Sequence, residues 1–149
     1  MPTITFQLVT LDTLDILTGF MRQFYTHFNY SLDESKLAAV EQLLQKPDYG
    51  RIWLIHYDQQ TAGYIILTFG YSIEMHGRDA LIDELFIDEQ YRGKKIGEQT
   101  IKFIEETCKQ MDMHALHLEV EHENIGAHRL YRRLGFEEHE RHFMTRWLE

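Results

Sequence analysis

Arg92-Gly93-Lys94-Lys95-Ile96-Gly97 packs three cations and two glycines into six residues, in a chain whose formal net charge is -9. The chemistry this suggests is the binding of phosphate. Glycine lets a backbone approach a ligand closely, because no Cβ stands in the way. The segment that follows, from about Gly97 to Met111, reads as a helix with Ile101, Ile104, Cys108 and Met111 on one stripe. Its unpaired N–H groups and the positive end of its dipole would point back at the loop. A loop of this kind suits a phosphate or pyrophosphate. The sequence is neither G-x-x-x-x-G-K-[ST] nor G-x-G-x-x-G, so neither the P-loop nor the dinucleotide fingerprint applies. The plainer reading is a turn that opens a helix.

The loop needs elements to carry it. Leu85, Phe86 and Ile87 directly precede it and suit a buried strand. Within the strand Ala80–Ile87, Ile82 and Leu85 are three apart while Leu85 and Ile87 are two apart. The inward phase therefore slips at Asp83–Glu84, as a β-bulge would make it do. Upstream, Thr3–Val9 alternates as a first strand. Thr10 or Asp12 can cap a helix reaching about Phe28, with Leu14, Leu17, Met21, Phe24 and Phe28 at helical spacing. Asn29 and Tyr30 break it. Ser31 with Glu34 has the spacing of a capping box and predicts the start of a second helix there. Arg51–Tyr57 and Ala62–Tyr71 read as strands joined by a polar turn. Downstream, Ala115–Val120 is a strand, and Asn124–Leu134 is a helix closed by Gly135. One or two final strands are expected between Phe136 and Leu148.

Asn124, Ala127, Tyr131, Gly135 and Phe136 follow the pattern N-x-x-A-x-x-x-Y-x-x-x-G-F. Together with the loop, where Arg92 and Gly97 match the ends of Q/R-x-x-G-x-G/A, this resembles the GNAT superfamily of acetyl-coenzyme-A-dependent N-acetyltransferases. Two motifs in the right order and separation are more specific than either alone. Lys95 departs from the pattern, standing where the family keeps its middle glycine. A side chain there either turns outward and adds charge to the phosphates or weakens the cofactor's hold, and the first reading is preferred.

The resemblance implies an α/β (α+β) fold of the GNAT type, over residues 1–149 as a single domain. It would have a mixed, mostly antiparallel central sheet of about six to seven strands flanked by about four helices. It implies acetyl-CoA as co-substrate, with the pantetheine arm held by the backbone of Leu85, Phe86 and Ile87. The pyrophosphate would take N–H groups from Arg92, Gly93, Lys94, Lys95, Ile96 and Gly97. Asn124 would hydrogen-bond the pantetheine, with Ala127 and Tyr131 also at the cofactor, although Asn124 is equally a plain helix cap. Arg133 could reach a phosphate, or be a solvated helix residue. Tyr131 is the family's usual general acid. A phenol of pKa about 10 can protonate a departing thiolate in a dry site. The alternative is a core tyrosine, because Ala127, Leu130, Tyr131 and Leu134 share one helical face. An amine of pKa about 10.4 must lose a proton before it attacks. Asp83 and Glu84 lie where the family often keeps a carboxylate for that step, and the sequence does not choose between them.

Length, composition and charge bound the rest. An apolar fraction of 44% and a charged fraction of 26% over 149 residues describe one ordinary globular domain. No run approaches a membrane span, and the N-terminus lacks the marks of a signal peptide, so no membrane partner is expected. The acidic balance argues against nucleic acid and suits a cationic acceptor. Cys108 stands alone, which rules out an intrachain disulfide and makes a reducing cytoplasm the simplest home. It reads as a core thiol. His114, His117, His122 and His128 lack metal-binding spacing, so no metal is expected. The aromatic group Phe20, Phe24, Tyr25, Phe28 and Tyr30 reads mostly as core, its end able to wall an acceptor pocket. The expected acceptor is a primary amine on a small molecule or a peptide. A non-catalytic acyl-CoA-binding regulatory module is the rival reading. A homodimer joined through the final strands is an assembly the family resemblance allows.

Overall fold

The computed structural model describes residues 1–148, which form two compact units. The first, Met1–Glu119, holds β1 (Ile4–Leu8), α1 (Leu14–His27), α2 (Glu34–Gln45), β2 (Gly50–Tyr57), β3 (Gln60–Ser72), β4 (Gly77–Ile87), α3 (Ile96–Gln110) and β5 (Ala115–Leu118). The second begins at Val120 and holds α4 (Ile125–Arg133). Short 3-10 turns at Leu11–Thr13 and Glu89–Tyr91 lead into α1 and the loop before α3. No described helix is long and apolar enough to cross a membrane.

The sheet runs β1-β2-β3-β4-β5, antiparallel except for the last pair, which is parallel. Alternation gives it two apolar faces. Ile52, Leu54, Tyr64, Ile66 and Phe86 pack with Leu17 and Met21 of α1 and Val40 of α2. The other face carries Trp53 and Phe6 against Phe103 of α3, with Phe6 and Phe103 stacked at 4.1 Å. From α3, Ile101, Ile104 and Cys108 are buried, a stripe at helical spacing. Burial pushes the Cys108 thiol up to about 11, so it is a core residue in its chemistry as well.

The bulge anticipated in β4 is present. Ile66 pairs with Glu84 and the adjacent Leu67 pairs with Ile82, leaving Asp83 without a cross-strand partner. Two expectations are corrected. The second helix is capped by Asp33, whose side chain accepts from the Lys36 N–H at 3.0 Å, and not by Ser31. Asp33 sits immediately before the first helical residue, the place from which a short carboxylate reaches the third N–H beyond it. The final strands expected after Phe136 are absent from the described residues, so the sheet has five strands where six or seven were anticipated. That segment opens on Glu137-Glu138-His139-Glu140-Arg141-His142, a polar run that offers no apolar face of its own. Its Phe143, Met144, Trp147 and Leu148 remain exposed.

The β3–β4 ladder depends on one glycine. A Cβ on Gly63 would stand 1.9 Å from the Phe86 carbonyl oxygen, a backbone atom that cannot step aside without opening the pairing. Gly63→Ala is expected to lower stability by about 3 kcal/mol in denaturant melts. A loss of only a few tenths would contradict this packing.

Candidate active site

The bulge decides which carboxylate faces the helices. Partners across an antiparallel ladder share a face. Ile66 faces α1 and α2, so Glu84, paired with it, faces them too. Without the extra residue the ladder would continue from Leu67–Ile82 to Ile66–Asp83, and Asp83 would occupy that face instead. As built, Asp83 is exposed, although the protein around it still raises its carboxyl.

Glu84 is held from two sides. The Tyr25 hydroxyl, from α1, donates to Oε2 at 2.6 Å, and the Tyr64 hydroxyl, from β3, donates to Oε1 at 2.8 Å. Tyr25 follows Met21 by four residues and so extends the buried stripe of α1, its phenol reaching past the core to the carboxylate. Burial raises the Glu84 pKa. The two phenols and the Lys36 ammonium act against that rise, and Asp83 adds to it. Burial and the Glu84 charge push both phenols far up, so they remain donors throughout the neutral range.

Among the described residues, no strand pairs with the second edge of β4 beside this residue. β4 pairs with β3 as far as Ile87, but with β5 only from Asp79 to Ile82. The Phe86 carbonyl points at Gly63 and the Asp88 N–H donates to Ala62, so these residues face β3. By alternation, Leu85 and Ile87 turn their backbone groups to the other edge. The Ile87 carbonyl accepts from Arg92 Nε at 3.1 Å. The Leu85 groups and the Ile87 N–H lie beyond the reach of β5.

The loop after β4 ends in left-handed backbone at Gly93 (φ 78°) and Lys95 (φ 61°), and α3 starts at Ile96. The Arg92 N–H is bonded to Glu89, and its side chain returns to Ile87. Lys94 lies over the Tyr57 ring at 5.6 Å. A Cβ on Gly93 or Gly97 would meet nothing within 4 Å. The backbone there borders open space, at the end of a 15-residue helix whose first N–H groups lack intrahelical acceptors.

In the second unit, the Asn124 side chain accepts from the Ala127 N–H at 3.2 Å and caps α4. Gly135, at φ 99°, ends the helix, and Arg132 and His128 both pair with Glu138. Tyr131 packs its ring on Phe136 at 5.7 Å. Burial raises its phenol, so it stays protonated at neutral pH. Within its own unit the Tyr131 hydroxyl makes no hydrogen bond to a described residue. Among the described residues, no group of three or more His, Cys, Asp or Glu is placed to hold a metal ion.

Of the residues singled out from sequence, Glu84, Leu85, Phe86 and Ile87 lie on β4, the cationic loop joins β4 to α3, and Asn124, Ala127, Tyr131 and Arg133 lie on or beside α4. Sequence reasoning missed Tyr64, and it placed Tyr25 among core aromatics without its carboxylate partner. A buried tyrosine needs a partner for its hydroxyl, which is the signal that the run Ala62–Tyr71 offered.

The chain belongs to the acetyltransferase (GNAT) family, whose sequence pattern matches residues 14–136. It is 35% identical over 103 residues to a candidate ribosomal-protein-alanine N-acetyltransferase of Bacillus subtilis, covering 69% of this chain and 64% of that protein. It is 30% identical over 141 residues to an uncharacterized N-acetyltransferase of Methanocaldococcus jannaschii, covering 93% of this chain and 62% of that one. The chain thus spans somewhat under two thirds of the length of these curated relatives. Among solved structures, an integron cassette protein from the Cole Harbour Salt Marsh metagenome superposes with a TM-score of 0.84 at 30% identity, over 97% of this chain and 90% of that one.

A carboxyl raised by burial contributes stability in acid that is lost as pH rises through its folded pKa. Replacing Glu84 by Gln removes the ionisation. The midpoint of thermal unfolding of Glu84→Gln relative to the unmodified protein should therefore climb between pH 4 and pH 8. A difference that stays flat across that range would contradict a buried, ionising Glu84.

Proposed function

We propose that this protein is an N-acetyltransferase that moves the acetyl group of acetyl-CoA directly to a primary amine of a small molecule or peptide, with a preference for cationic acceptors. The observation that carries this reading is Glu84. It is a carboxylate drawn inward by a bulge and held by two phenols, on a strand whose neighbouring edge is free.

The residues present fit acetyl-CoA. The Leu85 backbone groups and the Ile87 N–H suit an amide-bearing chain that pairs like a strand. The open space at Gly93 and Gly97, with the unpaired N–H groups at the start of α3, suits a pyrophosphate. Lys95 adds charge there at a position it occupies in left-handed backbone. Acetyl-CoA supplies an activated thioester. Glu84 takes the proton of the acceptor ammonium, directly or through a water, so that its nitrogen can attack. The β4 backbone N–H groups that β5 does not reach would face the charge growing on a thioester carbonyl oxygen. Tyr131, kept protonated by burial, would supply the proton that a departing thiolate needs. Cys108, buried and high in pKa, is unsuited to a covalent relay, which favours direct transfer.

The net charge of -9 favours cationic acceptors by raising their local concentration. The Bacillus subtilis relative is named for an alanine of a ribosomal protein, which makes a peptide amino terminus one acceptor class to assay.

The test is release of free thiol from acetyl-CoA across a panel of polyamines, aminoglycosides and alanine-terminated peptides. Glu84→Gln should lower kcat/KM by about 100-fold or more, while Asp83→Asn should stay within about threefold. Full activity in Glu84→Gln would remove the proposed base. Tyr131→Phe should lower kcat by about 10- to 100-fold with CoA affinity unchanged by calorimetry. CoA binding without amine-dependent thiol release from any acceptor would favour the regulatory module instead.

A further inference from the structure

We propose that Tyr25 and Tyr64 are positioning residues that clamp the Glu84 carboxylate, one phenol on each oxygen, and so fix where its remaining lone pairs face the acceptor. This rests on the reading of Glu84 as proton acceptor. Three elements meet at the clamp: α1 supplies Tyr25, β3 supplies Tyr64 and β4 supplies Glu84.

Neither phenol is free to swing. Tyr64 has no exposed surface, and its ring packs on Phe86 at 6.0 Å and edge-on to Phe24 at 6.4 Å. Tyr25 lies edge-on to Phe24 at 5.8 Å and to Tyr30 at 6.3 Å. The Lys36 ammonium, 5.3 Å from the centre of the Tyr25 ring, is itself bonded to the Ser31 carbonyl. The phenol from α1 is thus braced by α2 and by the break between the helices. With one phenol on each oxygen, the carboxylate plane cannot rotate without breaking a hydrogen bond.

The clamp also sets the proton balance. The groups acting on Glu84 are Tyr25 of α1, Lys36 of α2 and Tyr64 of β3, which favour its ionised form. Asp83 of β4 and burial oppose them. Removing one phenol takes away a donor to the charged form while leaving the burial. The Glu84 midpoint must then rise, and the acid limb of the rate profile must move to higher pH with it. One hydrogen bond to a charged group corresponds to a shift of about one pH unit.

The measurement is the pH titration of the Glu84 side-chain carboxyl carbon by 13C NMR in the whole protein, assigned by its loss in Glu84→Gln. It is paired with the pH profile of kcat/KM using acetyl-CoA and the best acceptor of the panel. Tyr25→Phe keeps the ring and is expected to fold, with its midpoint and its acid limb each about one unit higher. Lys36→Gln should move both in the same direction by less. Tyr64→Phe, in the fully buried position, should repeat the Tyr25→Phe shift where it folds. A Glu84 midpoint unmoved in Tyr25→Phe overturns the clamp, whatever the rate does. A midpoint that moves without the acid limb supports the clamp and overturns Glu84 as the proton acceptor. Removal of a merely structural tyrosine would lower the melting temperature and leave both pH readouts in place.

Discussion

One extra residue in β4 governs the arrangement of the candidate site. A strand turns successive side chains to opposite faces, so inserting Asp83 exchanges the faces of everything beyond it relative to a regular ladder. Ile82 keeps the α3 face with Leu67, and Glu84 takes the α1 face with Ile66. Phe86, two residues on, then joins the aromatic layer with Phe20, Phe24 and Tyr64. A single local irregularity thus places a carboxylate against α1 and lets the strand resume its apolar pattern.

A carboxylate in that position would be unfavourable without donors, because burial penalises the charged form. The two phenols offset part of this and leave Glu84 with a raised pKa. That balance suits proton transfer, since a base is most useful when its pKa lies near the working pH. The aromatic layer holds the donors in place through ring contacts that would otherwise read as ordinary core packing. In this protein the core and the proposed catalytic apparatus share the same side chains. Stability and activity at Tyr25 and Tyr64 are therefore coupled.

The approach to the site follows from where pairing stops. β5 is short and leaves β4 at Ile82, while β3 accompanies β4 to Ile87. The backbone groups of Leu85 and Ile87 are then turned to an edge on which no strand of the described residues lies. Two residues in left-handed backbone, Gly93 and Lys95, bring the loop round to start α3. Lys95 adopts there a conformation that glycine would take without strain.

The periodic elements were legible in the sequence. Helices α1, α3 and α4, strands β2 to β4, and the left-handed close at Gly135 follow from spacing and turn chemistry, which are local properties of the chain. The family was legible from Asn124, Ala127, Tyr131, Gly135, Phe136 and the loop. The cap of α2 was misplaced by two residues, because Ser31 and Asp33 offer similar oxygens and only backbone geometry separates them. The last strands failed as an expectation because a strand exists only through a partner, and composition does not supply one. Which of Asp83 and Glu84 faces α1 belongs to tertiary structure alone. Two adjacent carboxylates are equivalent in sequence until a ladder assigns each a face. The phenols that hold Glu84 lie 59 and 20 residues away along the chain, a separation that only folding closes.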